Sequence, residues 1–88
     1  MNVNNCPEIL EVTPLDNLNL LVGFKNGIRK RLGINPYLKK FSAFQKLADR
    51  GAFENVKVDG SGWGIVWNEE TDLSACDAWE FGIESKYN

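Results

Sequence analysis

The stretch LNLLVGF alternates: Leu18, Leu20, Val22 and Phe24 fall on one side, and Asn19, Gly23 and Lys25 on the other. A period of two marks a half-buried strand. Upstream, the branched residues of 9–13 read as a first strand, stopped by Pro14 and followed by the turn PLDN. Downstream, FKNGI carries Asn-Gly, the strongest short-range hairpin signal. A two-residue loop would set Phe24 opposite Arg29, whereas a three-residue loop with Gly27 left-handed sets Phe24 opposite Ile28 and Leu20 opposite Leu32. Only the second register keeps apolar side chains together, because a one-residue slip turns every side chain to the other face. It also sends Arg29 and Arg31 to the outer face.

NPYLKKF, with Pro36, reads as a connection. In SAFQ, Ser42 is spaced to cap free backbone N–H groups while Gln45 reaches back. Phe41, Phe44, Leu47 and Ala48 follow helical spacing, and Gly51 supplies a stop. Residues 52–56 are irregular or one further helical turn. VKV then alternates as a strand, DGSG turns, and WGIVW places Trp63, Ile65 and Trp67 on one face of a second strand, making a hairpin. In SACDAWEFGI, Ser74 and Asp77 repeat the cap spacing, Cys76, Trp79 and Ile83 recur at helical spacing, and Gly82 weakens the end. These elements predict an α+β domain, a small antiparallel sheet of about five strands with two short helices forming a single layer on it. A chain of 88 residues supports one such domain. Its globular part is expected at about 8–84, with tails at 1–7 and 85–88.

A hydrophobic fraction of 43% with 25% charged residues is far from the signature of disorder. No run approaches the roughly 18 apolar residues of a membrane span. MNVNNCPEI lacks the basic and apolar regions of a signal peptide, so a cytoplasmic location is expected and no membrane partner. Cys6 and Cys76 are too few for a disulfide scaffold, and without export the expectation is free thiols, a single bridge being the alternative.

Net charge is only −2, but it is unevenly spread. Residues 25–50 hold eight basic side chains against Asp49 alone, giving +7; residues 51–88 balance to −6 and residues 1–24 to −3. Arg29 and Arg31 on a strand face, with Lys39 and Lys40 in the next connection, form a candidate patch for phosphates or an acidic partner. Strands of half-exposed sheets also carry charge outward with no ligand at all.

Chemistry is sparse. DGSGWG has glycines at the first and third fingerprint positions, but Ile65 stands at the sixth and a strand follows instead of a helix, so it is a turn and not a dinucleotide loop. The chain has no histidine, which removes the commonest general base and the usual partner of a nucleophilic serine or cysteine. Cys76 sits among Asp72, Asp77 and Glu80, which oppose thiolate formation. Two cysteines without histidine make no standard zinc site, and Glu69, Glu70 and Asp72 lack the spacing of a calcium loop. No catalytic, cofactor-binding or metal-binding residue is therefore assigned. Asp72 reads as an anchor for the turn or helix start. Trp63 and Trp67 are core candidates first, and interface candidates if exposed.

The order of these signals resembles a family of small bacterial proteins, the domain of unknown function 2442. The likeness runs through Pro14-Leu15, LLVGFKNG with Phe24 and Gly27, INPYL with Pro36 and Leu38, AFQKLADRGAFENVKVD with Phe44, Leu47, Phe53, Val56 and Val58, and GIVW followed by TDL with Trp67, Asp72 and Leu73. It departs at Gly33, where an aspartate is usual, at Asn68–Glu69–Glu70 in place of a Pro-Asn-Gly turn, and at Ala75 and Cys76 in place of Pro-Asp. The resemblance implies an α+β fold, no established activity, and frequent genetic pairing with another small protein in the manner of toxin–antitoxin modules. The expectation is a noncatalytic, antitoxin-like protein-interaction module that binds a protein partner or a second copy, using no cofactor. Its candidate residues are Arg29, Arg31, Lys39, Lys40, Trp63, Trp67 and Asp72. The alternative is a nucleic-acid-binding or regulatory domain using residues 25–50.

Overall fold

The computed structural model describes residues 6–85. The fold is α+β. A four-stranded antiparallel sheet is formed by β1 (Ile9–Pro14), β2 (Asn19–Phe24), β3 (Arg29–Gly33) and β7 (Ile83–Glu84), in that spatial order. A three-stranded one comprises β4 (Lys57–Val58), β5 (Gly64–Asn68) and β6 (Thr71–Ser74). The strands thus occupy two sheets where the sequence pattern suggested about five strands in one. Between β3 and β4 lie α1 (Asn35–Lys40), a 3-10 helix (Ser42–Ala48) and α2 (Arg50–Phe53). Helix α3 (Ala75–Phe81) separates β6 from β7.

The β2–β3 hairpin adopts the three-residue loop. Leu20 lies opposite Leu32 and Gly23 opposite Arg29. Phe24 N–H donates to the Ile28 carbonyl at 2.9 Å, and Gly27 has φ +91°, a conformation that any Cβ would strain. The DGSGWG segment is the expected turn: Asp59 N–H donates to the Gly64 carbonyl and Gly62 N–H back to that of Asp59, at 2.9 and 2.8 Å. The Ser61 hydroxyl donates to the Asp59 carboxylate, which lowers the Asp59 pKa, and the N–H groups of Ser61 and Gly60 act in the same direction. Beyond it, Lys57 pairs with Val66 and Val58 with Ile65, as the alternation required.

Three local expectations give way. NPYLKKF is a helix, because proline is tolerated in a first turn, where no intrahelical N–H bond is lost. Ser42 makes no capping hydrogen bond; the segment it begins is a tighter 3-10 helix. The cap belongs to Asp49, whose carboxylate accepts from Ala52 N–H at 3.0 Å, and Gly51 lies inside α2 instead of ending a helix. Asp49→Ala is accordingly expected to cost about 1 kcal/mol in urea denaturation, with Asp49→Asn nearly neutral. At the fourth helix start, Ser74 does cap: its hydroxyl accepts from Asp77 N–H at 3.1 Å.

Both sheets and the helices contribute to one buried cluster. Leu20, Val22, Phe24 and Leu32 come from the first sheet, Ile65, Trp67 and Leu73 from the second, and Leu47, Phe53, Ala75 and Ala78 from the helices. The sheets meet where Ile9 N–H donates to the Gly62 carbonyl at 2.8 Å. Phe24 packs edge-on to Trp79, centroids 5.0 Å apart, and Lys30 lies over the Trp79 ring with its ammonium 3.8 Å from the centroid and bonded to the Trp79 carbonyl. A cation there suits the carboxyl-terminal end of α3.

The free-thiol expectation is overturned. Cys6 and Cys76 are joined in a disulfide with Cα atoms 5.1 Å apart, within the range a bridge requires. Their sequence separation of 70 concealed a proximity that the fold creates by bringing the first turn of α3 beside the entry to β1. Cys6 is thereby tied covalently to α3, and Ser85 N–H donates to the Arg29 carbonyl at 2.8 Å. The expected tail residues 1–5 and 86–88 lie outside the described residues. Among the described residues, no helix is long and apolar enough to cross a membrane.

Candidate functional site: an aromatic groove

The short helix α1 places Tyr37 and Phe41 one turn apart, and the following 3-10 helix brings Phe44 alongside them. Their rings form a cluster: Tyr37 lies 6.3 Å from Phe41 at 25° and 5.4 Å from Phe44 at 28°, and Phe41 lies 6.0 Å from Phe44. Phe44 is buried and meets Trp67 edge-on at 5.7 Å, which ties the cluster to the core. Phe41 stays 50% exposed.

Across from these rings stand Asp72 and Leu73 of β6 and, one turn apart on α3, Asp77 and Phe81. Phe81 is 63% exposed. The two walls bound a groove of about 640 Å³, which Leu32, Gly33, Pro36 and Lys40 also line. Its lining is mostly apolar, one wall is acidic, and the other carries a single cation. Burial raises the Tyr37 pKa, and the charge of Asp77 raises it further. The hydroxyl thus stays neutral, able to donate a hydrogen bond, across the physiological range.

Residues expected from the sequence divide among several places. Lys40 and Asp72 both line the groove. Lys39 is exposed in the last turn of α1. Arg29 and Arg31 share the outer face of the four-stranded sheet; Arg29 is already 3.6 Å from the Glu11 carboxylate, and Arg31 lies between Leu21 and Ile83. Trp63 is 51% exposed beside a second depression of about 300 Å³ that also reaches Asp72. Trp67 leaves the set: it is buried, and its indole N–H donates to the Phe53 carbonyl at 3.1 Å. Nor does Asp72 anchor the turn or the helix start, since the Asn68 side chain accepts from Glu70 N–H at 2.8 Å and Ser74 caps α3.

Sequence reasoning missed Tyr37, Phe41, Phe44, Asp77 and Phe81 as one site. Spacings of four and three along 37–41–44 were visible, but only a helix at 35–40 makes them neighbours.

Residues 9–77 match the family model described as protein of unknown function DUF2442, so the chain belongs to that family. No match was found among curated proteins. None was found among solved structures.

Proposed function

We propose that this DUF2442 member is a noncatalytic protein-interaction module, antitoxin-like in that it docks a separate small protein, and that the aromatic groove is where it does so. One observation carries the reading. Phe41 and Phe81 leave large apolar rings half or more in water on opposite walls of one concave surface, and such patches on small domains mark binding sites. The family resemblance, with its implied pairing of neighbouring genes, points to a protein as the occupant. A chain without histidine also offers little for acid–base chemistry. The reading takes the protein to act in the cytoplasm.

Coexpression with the product of the adjacent gene tests it. A complex is expected to copurify at micromolar concentration, and Phe41→Ala with Phe81→Ala together to weaken it at least about a hundredfold, as loss of two anchor side chains does. Since both rings are exposed, these variants should remain folded by circular dichroism. A complex indifferent to both changes would remove the groove from the interface.

The nucleic-acid reading draws less support from the geometry. Arg29 is paired with Glu11, and Lys40 shares its groove with two carboxylates, which repel phosphate.

A further inference from the structure

The wall of the groove formed by β6 is a sheet edge. In the order β4-β5-β6, nothing pairs with β6 on its far side among the described residues. The hydrogen-bond phase of that edge follows from two bonds. Ala75 N–H donates to the Trp63 carbonyl at 2.8 Å, and Asp59 N–H to that of Gly64 at 2.9 Å. Antiparallel pairs alternate between bonded and non-bonded. With Ile65 opposite Leu73 and Val66 opposite Asp72, Leu73 therefore turns its backbone groups toward β5, while Asp72 and Ser74 turn theirs outward. Among the described residues the N–H groups of Asp72 and Ser74 and the Asp72 carbonyl are thus open to a further strand laid along β6, whose Asp72 and Leu73 also line the groove. Ser74's own carbonyl is committed to the first turn of α3, as for any cap residue.

Resting on the reading of the groove as a protein-docking site, we infer that its occupant is an extended segment of the partner that pairs with the free edge of β6 and reads apolar, basic, apolar along three successive residues. A helix has no backbone groups to spare for a strand edge; an extended segment does. Side chains alternate across a strand, so the partner residue directly opposite Asp72 shares the face of the Asp72 carboxylate. A lysine or arginine there forms a cross-strand ion pair. Its two neighbours point to the face of buried Leu73, toward the groove lined by Phe41, Phe44 and Phe81. Asp77 and Lys40 line the groove itself. Groove, edge and charge thus describe one ligand.

The test uses the full chain, labelled with nitrogen-15, and three short capped peptides on a common threonine-rich extended background. One carries phenylalanine–arginine–phenylalanine, the second phenylalanine–glutamate–phenylalanine, the third alanine–arginine–alanine. The first is expected to bind tightest, with the glutamate peptide about fivefold or more weaker, the change one partly exposed ion pair supplies. The alanine peptide should be weaker by about tenfold or more. Saturation with the first peptide should slow solvent exchange of the Asp72 and Ser74 amides. Asp72→Lys should reverse the preference, favouring the glutamate peptide, which a merely structural role for Asp72 would not produce. No saturable binding of the first peptide at millimolar concentration, equal affinity for arginine and glutamate peptides, or unprotected Asp72 and Ser74 amides at saturation would each overturn the inference. If Phe41→Ala and Phe81→Ala still disrupt the coexpressed complex in that case, the groove remains the docking site and only the mode of occupancy is wrong.

Discussion

Trp67→Ala should destabilise the protein by about 3–5 kcal/mol, a large share of the roughly 5–15 kcal/mol that holds a small domain together. The residue is 6% exposed and joins three parts of the fold. Its ring lies 6.4 Å from Phe53 at 29° and 5.7 Å from Phe44 at 71°, and its indole N–H satisfies the Phe53 carbonyl. Alanine removes the ring and leaves both a cavity and an unpaired buried acceptor. Trp67→Phe separates the two contributions: it keeps most of the packing and loses the hydrogen bond, at a cost of about 1–3 kcal/mol. Urea denaturation of the two variants beside the parent makes the comparison. A loss below about 1 kcal/mol for alanine would mean that the core does not depend on this ring. Because Trp67 supports Phe44, the alanine variant should also loosen the groove.

Reduction of the Cys6–Cys76 bridge is the second large effect. It closes a loop spanning a separation of 70 residues, and in the chain-entropy account a loop of that length stabilises by about 4 kcal/mol, through restriction of the unfolded chain. For a domain of this size, where each kcal/mol shifts the melting temperature by about 4–8 °C, that predicts a fall of roughly 15–30 °C on adding dithiothreitol. The double variant Cys6→Ser with Cys76→Ser should melt at the reduced temperature and be insensitive to the reductant. Coincident melting of oxidised and reduced protein would show that the bridge is not part of the stable fold.

What could be read in advance was governed by range. The β2–β3 register was legible because Asn26 and Gly27 act locally: the Asn26 side chain accepts from Ile28 N–H at 3.0 Å, and Gly27 takes the left-handed conformation its sequence position suggested. The DGSG turn and the Ser74 cap were legible for the same reason. Ser42 shows where local logic fails. Its spacing to Gln45 fits a capping box, but Phe44 must meet both Tyr37 and Trp67, and the backbone tightens into a 3-10 helix instead. In β6, Thr71 and Leu73 are buried and Asp72 and Ser74 exposed, an alternation too brief to stand out before a helix. The groove was the least accessible, since its walls come from α1, β6 and α3, and nothing at Phe41 announces Phe81. Cys6 and Cys76 were invisible as a pair for that reason too.

The bridge also decides how the molecule bears mechanical load. Tension applied at the two ends of the chain passes from Cys6 straight to Cys76, bypassing β1 through β6, so those strands sit in a slack branch. Among the described elements, α3 beyond Cys76 and β7 remain in series with the force. While the sulfur link is intact, the intervening segment is locked out of the extension; once it opens, roughly 240 Å of contour length becomes available to be drawn out.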